Sequence, residues 1–151
     1  MIEVRERLRV SANKFFNQII ESVCYDIEKS TGKKLGASNL KSGYKYKKTM
    51  KNKLGRKGSV EVVICDFKIP ISYSAKFKSV NGINKISYKI DKINDDEIDV
   101  IYKEEFEGNS KSVDVNFKFV GFFYKRSAKK RARKMLKSLE SYLLQNSDNE
   151  N

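Results

Sequence analysis

The stretch at residues 71–90, ISYSAKFKSVNGINKISYKI, decides the fold. Ile71, Tyr73, Ala75 and Phe77 alternate with Ser72, Ser74, Lys76 and Lys78, the two-residue period of a strand with one apolar and one polar face. Asn81-Gly82 then gives a hairpin signal, because both residues tolerate positive φ. Ile86, Tyr88 and Ile90 resume the alternation on the return strand. Strands joined by so short a turn run antiparallel.

The same period extends to both sides. Upstream, Tyr44, Tyr46 and Met50 mark a strand, NKLGRKGS turns the chain, and Val60, Val62 and Ile64 begin the next strand. Its later residues Val63, Cys65 and Phe67 are apolar on the opposite parity, and Pro70 is expected at an edge or bulge because it cannot donate to a ladder. Downstream, NDDE turns the chain into Ile98, Val100, Tyr102 and Phe106, with Glu104 on the inward side. The first ten residues also alternate, and Glu6 falls on their apolar side.

Two segments change to helical spacing. Ser11 or Asn13 can cap a helix carrying Phe16, Ile19, Ile20, Val23, Cys24 and Ile27, which Gly32 ends. GKKLGASNLKSG follows, with a short helical turn expected around Ser38 to Lys41. Near the other end, Tyr124, Ala128, Ala132, Met135, Leu136, Leu139, Tyr142 and Leu143 recur every three or four residues. Val113, Val115, Phe117 and Phe119 fit a further strand or a lead-in to that helix. Residues 1–145 are expected to form a single domain and 146–151 a disordered polar tail. The predicted order is strand, helix, five strands, long helix. An antiparallel sheet with one dry face needs a cover, and the long helix is expected to provide it.

Composition narrows the chemistry. The 151 residues carry a net charge of +13 and no histidine, which removes the commonest general base near neutral pH and the commonest metal ligand. Phosphate-cradling glycine loops, Cys-X-X-Cys pairs and Gly-X-Ser-X-Gly elbows are absent from the sequence. No catalytic residue, metal or cofactor is therefore expected. Cys24 and Cys65 sit in apolar patterns and are read as reduced thiols of a cytoplasmic protein. The charged segment MIEVRERLRV shows no secretory signal, and the apolar runs fall far short of the ~20 residues that span a bilayer.

LRVSANKFFNQIIESVCYDI, residues 8–27, is similar to the opening of the START-like superfamily, which includes birch-pollen allergen relatives and polyketide cyclases. VCYDIEKSTGKKL and FFYKRSAKKRARKMLKSLESY resemble, more narrowly, a family of small uncharacterised proteins of Gram-positive bacteria. The resemblance implies an α+β helix-grip fold: a curved antiparallel sheet of about six strands wrapped on a long C-terminal helix, in β-α-β(5)-α order. It also implies a cavity between sheet and helix for an apolar or amphipathic small molecule or lipid. By position, that cavity would be lined by Tyr73, Ala75, Phe77, Ile86, Tyr88, Ile90, Val100, Tyr102, Glu104 and Phe106, faced by Tyr124, Ala128, Met135 and Leu139. The superfamily shares no catalytic motif.

FKFVGFFYKRSAKKRARK, residues 117–134, places five aromatic rings before the seven cations of residues 125–134. On a helical wheel Phe119, Phe122 and Phe123 share a face with Arg126, Lys130, Arg133 and Lys137, the composition of a helix lying on an anionic membrane. Lys41–Lys57 adds eight basic residues without an acid, and Asp91–Glu107 is acidic. The reading that emerges is a non-catalytic small-molecule binder with peripheral contact to an anionic membrane. Alternatives are a basic nucleic-acid or acidic-protein binding module, and a lyase or cyclase using Glu104 and the tyrosines.

Overall fold

The computed structural model describes residues 1–51, 57–108 and 115–148, the helical stretches 115–124 and 147–148 by backbone alone. Strand β1 (Ile2–Leu8) leads into helix α1 (Ala12–Thr31) and a single 3-10 turn (Ala37–Asn39). Strands β2 (Lys45–Lys51), β3 (Lys57–Lys68), β4 (Ser72–Ser79), β5 (Gly82–Asn94) and β6 (Glu97–Gly108) follow, and helix α2 (Val115–Asp148) comes last. The six strands make one antiparallel sheet in the order β1-β6-β5-β4-β3-β2. The sheet is curved, and the architecture is the helix-grip α+β fold.

Local chemistry sets the boundaries. The Ser11 side chain accepts from the backbone N–H of Lys14, capping α1, and Gly32 ends the helix in the left-handed region with its N–H on the carbonyl of Glu28. β3 and β4 stay in register until Cys65, where a bulge inserts one residue. The bulge moves the apolar set from even to odd positions, so Phe67 joins Val60, Val62 and Ile64 on the concave face. Phe67 there packs edge-on against Phe16 and Tyr73. Pro70, expected at an edge or bulge, stands instead in the β3–β4 turn after a cis peptide bond.

The central hairpin also differs in detail from its sequence signal. Its turn is Val80-Asn81, and Gly82 is already the first residue of β5, paired with Ser79 and with Gly108. Gly82 has φ of 145°, and a Cβ there would collide with the carbonyl oxygen of Glu107. Glycine is required by the close approach of β6, not by the turn itself.

Two helices cover the concave face, where the sequence had suggested that the long one would do so alone. From α1, Phe15, Phe16, Ile19, Ile20, Val23 and Ile27 enter the core. From α2 come Ala132 and Leu136, with Met135, Leu139, Leu143 and Leu144 packed alongside. α2 begins at Val115, so the segment that fitted either strand or helix is helical from there. It also stays helical to Asp148, past the start of the expected tail. Val113 lies outside the described residues.

Carboxylates fix where α2 lies along β1. Glu6, on the apolar side of β1, faces Arg133 at 3.6 Å and Lys137 at 3.8 Å. Glu140 is buried and accepts from the backbone N–H of Arg9 at 2.6 Å, while the Lys137 ammonium donates to the carbonyl of Arg7 at 3.1 Å. The helix is thereby bonded to the β1–α1 corner.

Two substitutions test this framework by urea unfolding. Gly82→Ala is expected to cost about 3 kcal/mol, since the β5–β6 ladder must open to admit the methyl group. Glu140→Ala is expected to cost about 2 kcal/mol, since it leaves the Arg9 N–H without its acceptor.

Candidate functional site

The concave face closes around a pocket of about 170 Å³ that opens to one side. α1 contributes Gln18, Ile19, Ser22, Val23 and Asp26; the sheet contributes Tyr46, Lys48, Tyr73, Phe77, Ile86 and Tyr88; α2 contributes Leu139. Gln18, Ser22 and Asp26 recur every four residues, so they form one polar edge of the helix beside the apolar stripe that includes Ile19 and Val23. Lys48 faces that edge from β2, because its parity is that of Tyr46.

Asp26 organises the polar side. It accepts a short hydrogen bond from the Tyr46 hydroxyl and two from Lys48, at 3.0 and 3.2 Å. The Lys48 ammonium also lies 5.4 Å from the centre of the Phe77 ring. An ion pair this covered holds its geometry because each charge would otherwise be poorly solvated. Burial first, and the neighbouring Asp26 second, push the Tyr46 hydroxyl far above its usual range. The Tyr46 proton therefore stays on its oxygen.

Three more tyrosines face inward. Tyr73 is only 4% exposed, and among the described residues its hydroxyl makes no hydrogen bond. Among the described residues no fully enclosed side-chain oxygen or nitrogen lacks a partner, so this hydroxyl is open to the pocket that Tyr73 lines. Burial is the main cause that pushes it, too, well above the ordinary range. Tyr88 donates to the Met135 sulfur at 3.8 Å, and burial followed by the Glu104 charge pushes it up to about 12. Tyr102 packs on Tyr88 with ring centres 5.0 Å apart, and burial raises it first, Tyr88 and Glu104 after.

Of the residues the sequence nominated for a pocket, Tyr73, Phe77, Ile86, Tyr88 and Leu139 line this one. Ile90, Val100, Tyr102 and Ala128 are buried packing elsewhere in the interior. Glu104 is half-buried next to Tyr102 and outside the pocket wall, and Phe106 is 64% exposed. Of the cations nominated for a polyanion, Arg126 and Lys130 are exposed, while Arg133 and Lys137 turn toward Glu6. The side chains of Phe119, Phe122, Phe123 and Tyr124 lie outside the described residues.

Sequence reasoning missed the α1 half of the pocket and the Asp26–Tyr46–Lys48 cluster. The signal for Asp26 was present: seven residues after Ile19 and three after Val23, it occupies a place on the apolar stripe. Lys48 likewise shares the inward parity of Tyr46. Among the described residues there is no group of three or more His, Cys, Asp or Glu placed to hold a metal ion, and no helix long and apolar enough to cross a membrane.

A curved sheet gripping a long terminal helix is the helix-grip fold, and solved structures of START-like proteins share it. A START superfamily protein from Mycobacterium smegmatis matches at TM-score 0.60 and 10% identity, covering 95% of this chain and 97% of that one. Ara h 8.0201 matches at 0.56 and 14%, covering 95% and 97%. DynU16, from the dynemicin biosynthetic locus, matches at 0.57 and 5% over 94% of this chain, which spans 46% of DynU16. No curated protein matches the chain in sequence. Residues 2–125 match the family described as Domain of unknown function (DUF3284), and the chain belongs to that family.

The inward tyrosines make the fold sensitive to alkali. Tyr88 loses its proton near pH 12 when folded and near 10 when unfolded, so the folded state holds the proton more tightly. That contribution is complete below pH 10 and disappears as pH rises toward 12. Stability measured by urea unfolding is expected to fall across this window, and Tyr88→Phe is expected to flatten the fall.

Proposed function

We propose that this protein binds a small amphipathic molecule, non-catalytically, in the pocket between α1, the sheet and α2. The observation that carries the reading is Tyr73, a residue only 4% exposed whose hydroxyl opens to the pocket and has no hydrogen-bond partner among the described residues. A buried hydroxyl left unmatched costs roughly 1–3 kcal/mol. A ligand with a polar group would satisfy it.

Size and lining limit the ligand. A cavity of roughly 150 Å³ accepts a benzene ring, and this one measures about 170 Å³. One ring or a short branched chain fits, with its apolar body among Ile19, Val23, Phe77, Ile86 and Leu139. Its polar end would meet Tyr73 and the third N–H of Lys48, whose other contacts go to Asp26. A long-chain lipid would need the two layers to move apart. The lyase or cyclase alternative gains nothing from the geometry, because Glu104 stands outside the pocket wall. A cytoplasmic setting accords with Cys24 and Cys65 both being free thiols.

Native mass spectrometry of protein isolated from its own host is expected to show an added mass of one small organic molecule. Tyr73→Phe separates binding from packing. The variant is expected to be about 1 kcal/mol more stable without ligand, because the unmatched hydroxyl is gone, and to lose most of the added mass. Bare protein from the host, or a variant that is destabilised and still carries the adduct, would end this reading.

A further inference from the structure

The outer face of the sheet carries a charge pattern that the pocket does not explain. Residues that alternate with the core positions of β2, β4 and β5 point away from the helices, and among them are six clustered lysines: Lys45, Lys47, Lys76, Lys78, Lys85 and Lys89. Among the described residues, none of the six makes an ion pair. Lys76 stands directly opposite Lys85 across β4 and β5, and Lys51 directly opposite Lys57 across β2 and β3. Like charges facing each other on neighbouring strands destabilise a sheet. A solvated surface has no need of that arrangement, since an acid at either position would relieve it.

Two acids touch the patch directly, Glu61 from within it and Glu105 as the cross-strand neighbour of Lys85. Glu61 lies between Lys47 and Lys78, while Lys45 is separated from Lys76 only by Val63. Glu105 and Glu107 sit beyond β5, on β6. With strands about 4.8 Å apart, Lys45, Lys76 and Lys85 form a row across four strands that runs without an acid. Every aromatic side chain of β2, β4 and β5 has the inward parity, so this face offers no stacking platform for unpaired bases.

We propose that the outer sheet face is a docking surface for an anionic lipid bilayer. A bilayer is broad and laterally mobile, so its acidic headgroups can gather under all six lysines at once. A rigid duplex would touch a curved sheet along one line and reach fewer of them. Val63 and Ile83, the cross-strand neighbours of Lys45 and Lys78, suit such an interface, because lysine methylenes can rest on apolar surface while the ammonium groups extend to headgroups. The surface is distinct from the α2 cations, which lie on the opposite, helix-covered side of the sheet.

Co-sedimentation with vesicles of phosphatidylcholine containing about one third phosphatidylserine tests the proposal, with pure phosphatidylcholine vesicles as reference. Selective capture by the acidic vesicles is expected, weakening as salt is raised. Lys76→Glu is the informative variant. It replaces a facing pair of like charges by an opposite pair, so its melting temperature is expected to rise by about 1–3 °C. Its vesicle affinity is expected to fall more than fivefold, given roughly fivefold for each lysine lost. Arg126→Glu with Lys130→Glu, on α2, is expected to leave capture by the acidic vesicles nearly intact. Three results would each overturn the proposal: equal recovery from both vesicle types, loss of capture in the α2 variant with full capture in Lys76→Glu, or tighter binding to a DNA duplex than to acidic vesicles at the same salt.

Discussion

Everything in this molecule depends on how α1 is seated. Phe15 and Phe16 are adjacent in sequence and both have no exposed surface. Neighbours on a helix project about 100° apart, so both can be buried only if the helix lies pressed into a trough. The curved sheet is that trough, with Phe15 against Tyr88 and Phe16 against Phe67. Seated this deeply, α1 points one edge at β2, which brings Asp26 to Tyr46 and Lys48. Gln18 and Ser22 follow on the same edge, and the pocket is the space this arrangement leaves between the helix and Phe77 and Ile86.

α2 plays a different part. Its small residues Ala128 and Ala132 allow close approach, and Leu136 completes the interior. What sets its position along β1 is polar. Glu6 engages Arg133 and Lys137, and Glu140 reaches the Arg9 amide. These contacts have a specific acceptor geometry that apolar packing lacks, which is a physical reason for carboxylates on a face otherwise given to the core. They also hold α2 near β1 and leave α1 to cover the β2 side.

Much of the fold was legible because it depends on local chemistry. The Ser11 cap, the Gly32 stop, the alternation from Ile71 to Ile90 and the short turns all act within a few residues. The apolar residues Val63, Cys65 and Phe67 on the second parity of β3 were visible as well, while the bulge that turns Phe67 inward was not. The helical wheel of α2 put Arg133 and Lys137 on an exposed face, and their ion pairs with Glu6 are nonlocal, reaching a residue more than a hundred positions away. The Asp26–Lys48 pair was hidden in the same way. Each residue looked like a charge interrupting an apolar series, and only the seating of α1 makes the two interruptions meet.

The interior tyrosines show why such interruptions are tolerated. Tyr46, Tyr88 and Tyr102 each sit beside a polar neighbour: Asp26, the Met135 sulfur and Glu104 respectively. A phenylalanine at these places would fill the same space and leave those neighbours unmatched. Tyr73 alone departs from the pattern, sharing the inward face of Ala75 and Phe77 with no partner for its hydroxyl among the described residues. Packing does not call for an oxygen there, and the apolar floor around it would be more favourable without one. Among the described residues, an oxygen at this place is the one feature of the apolar floor that side-chain packing alone leaves without a role.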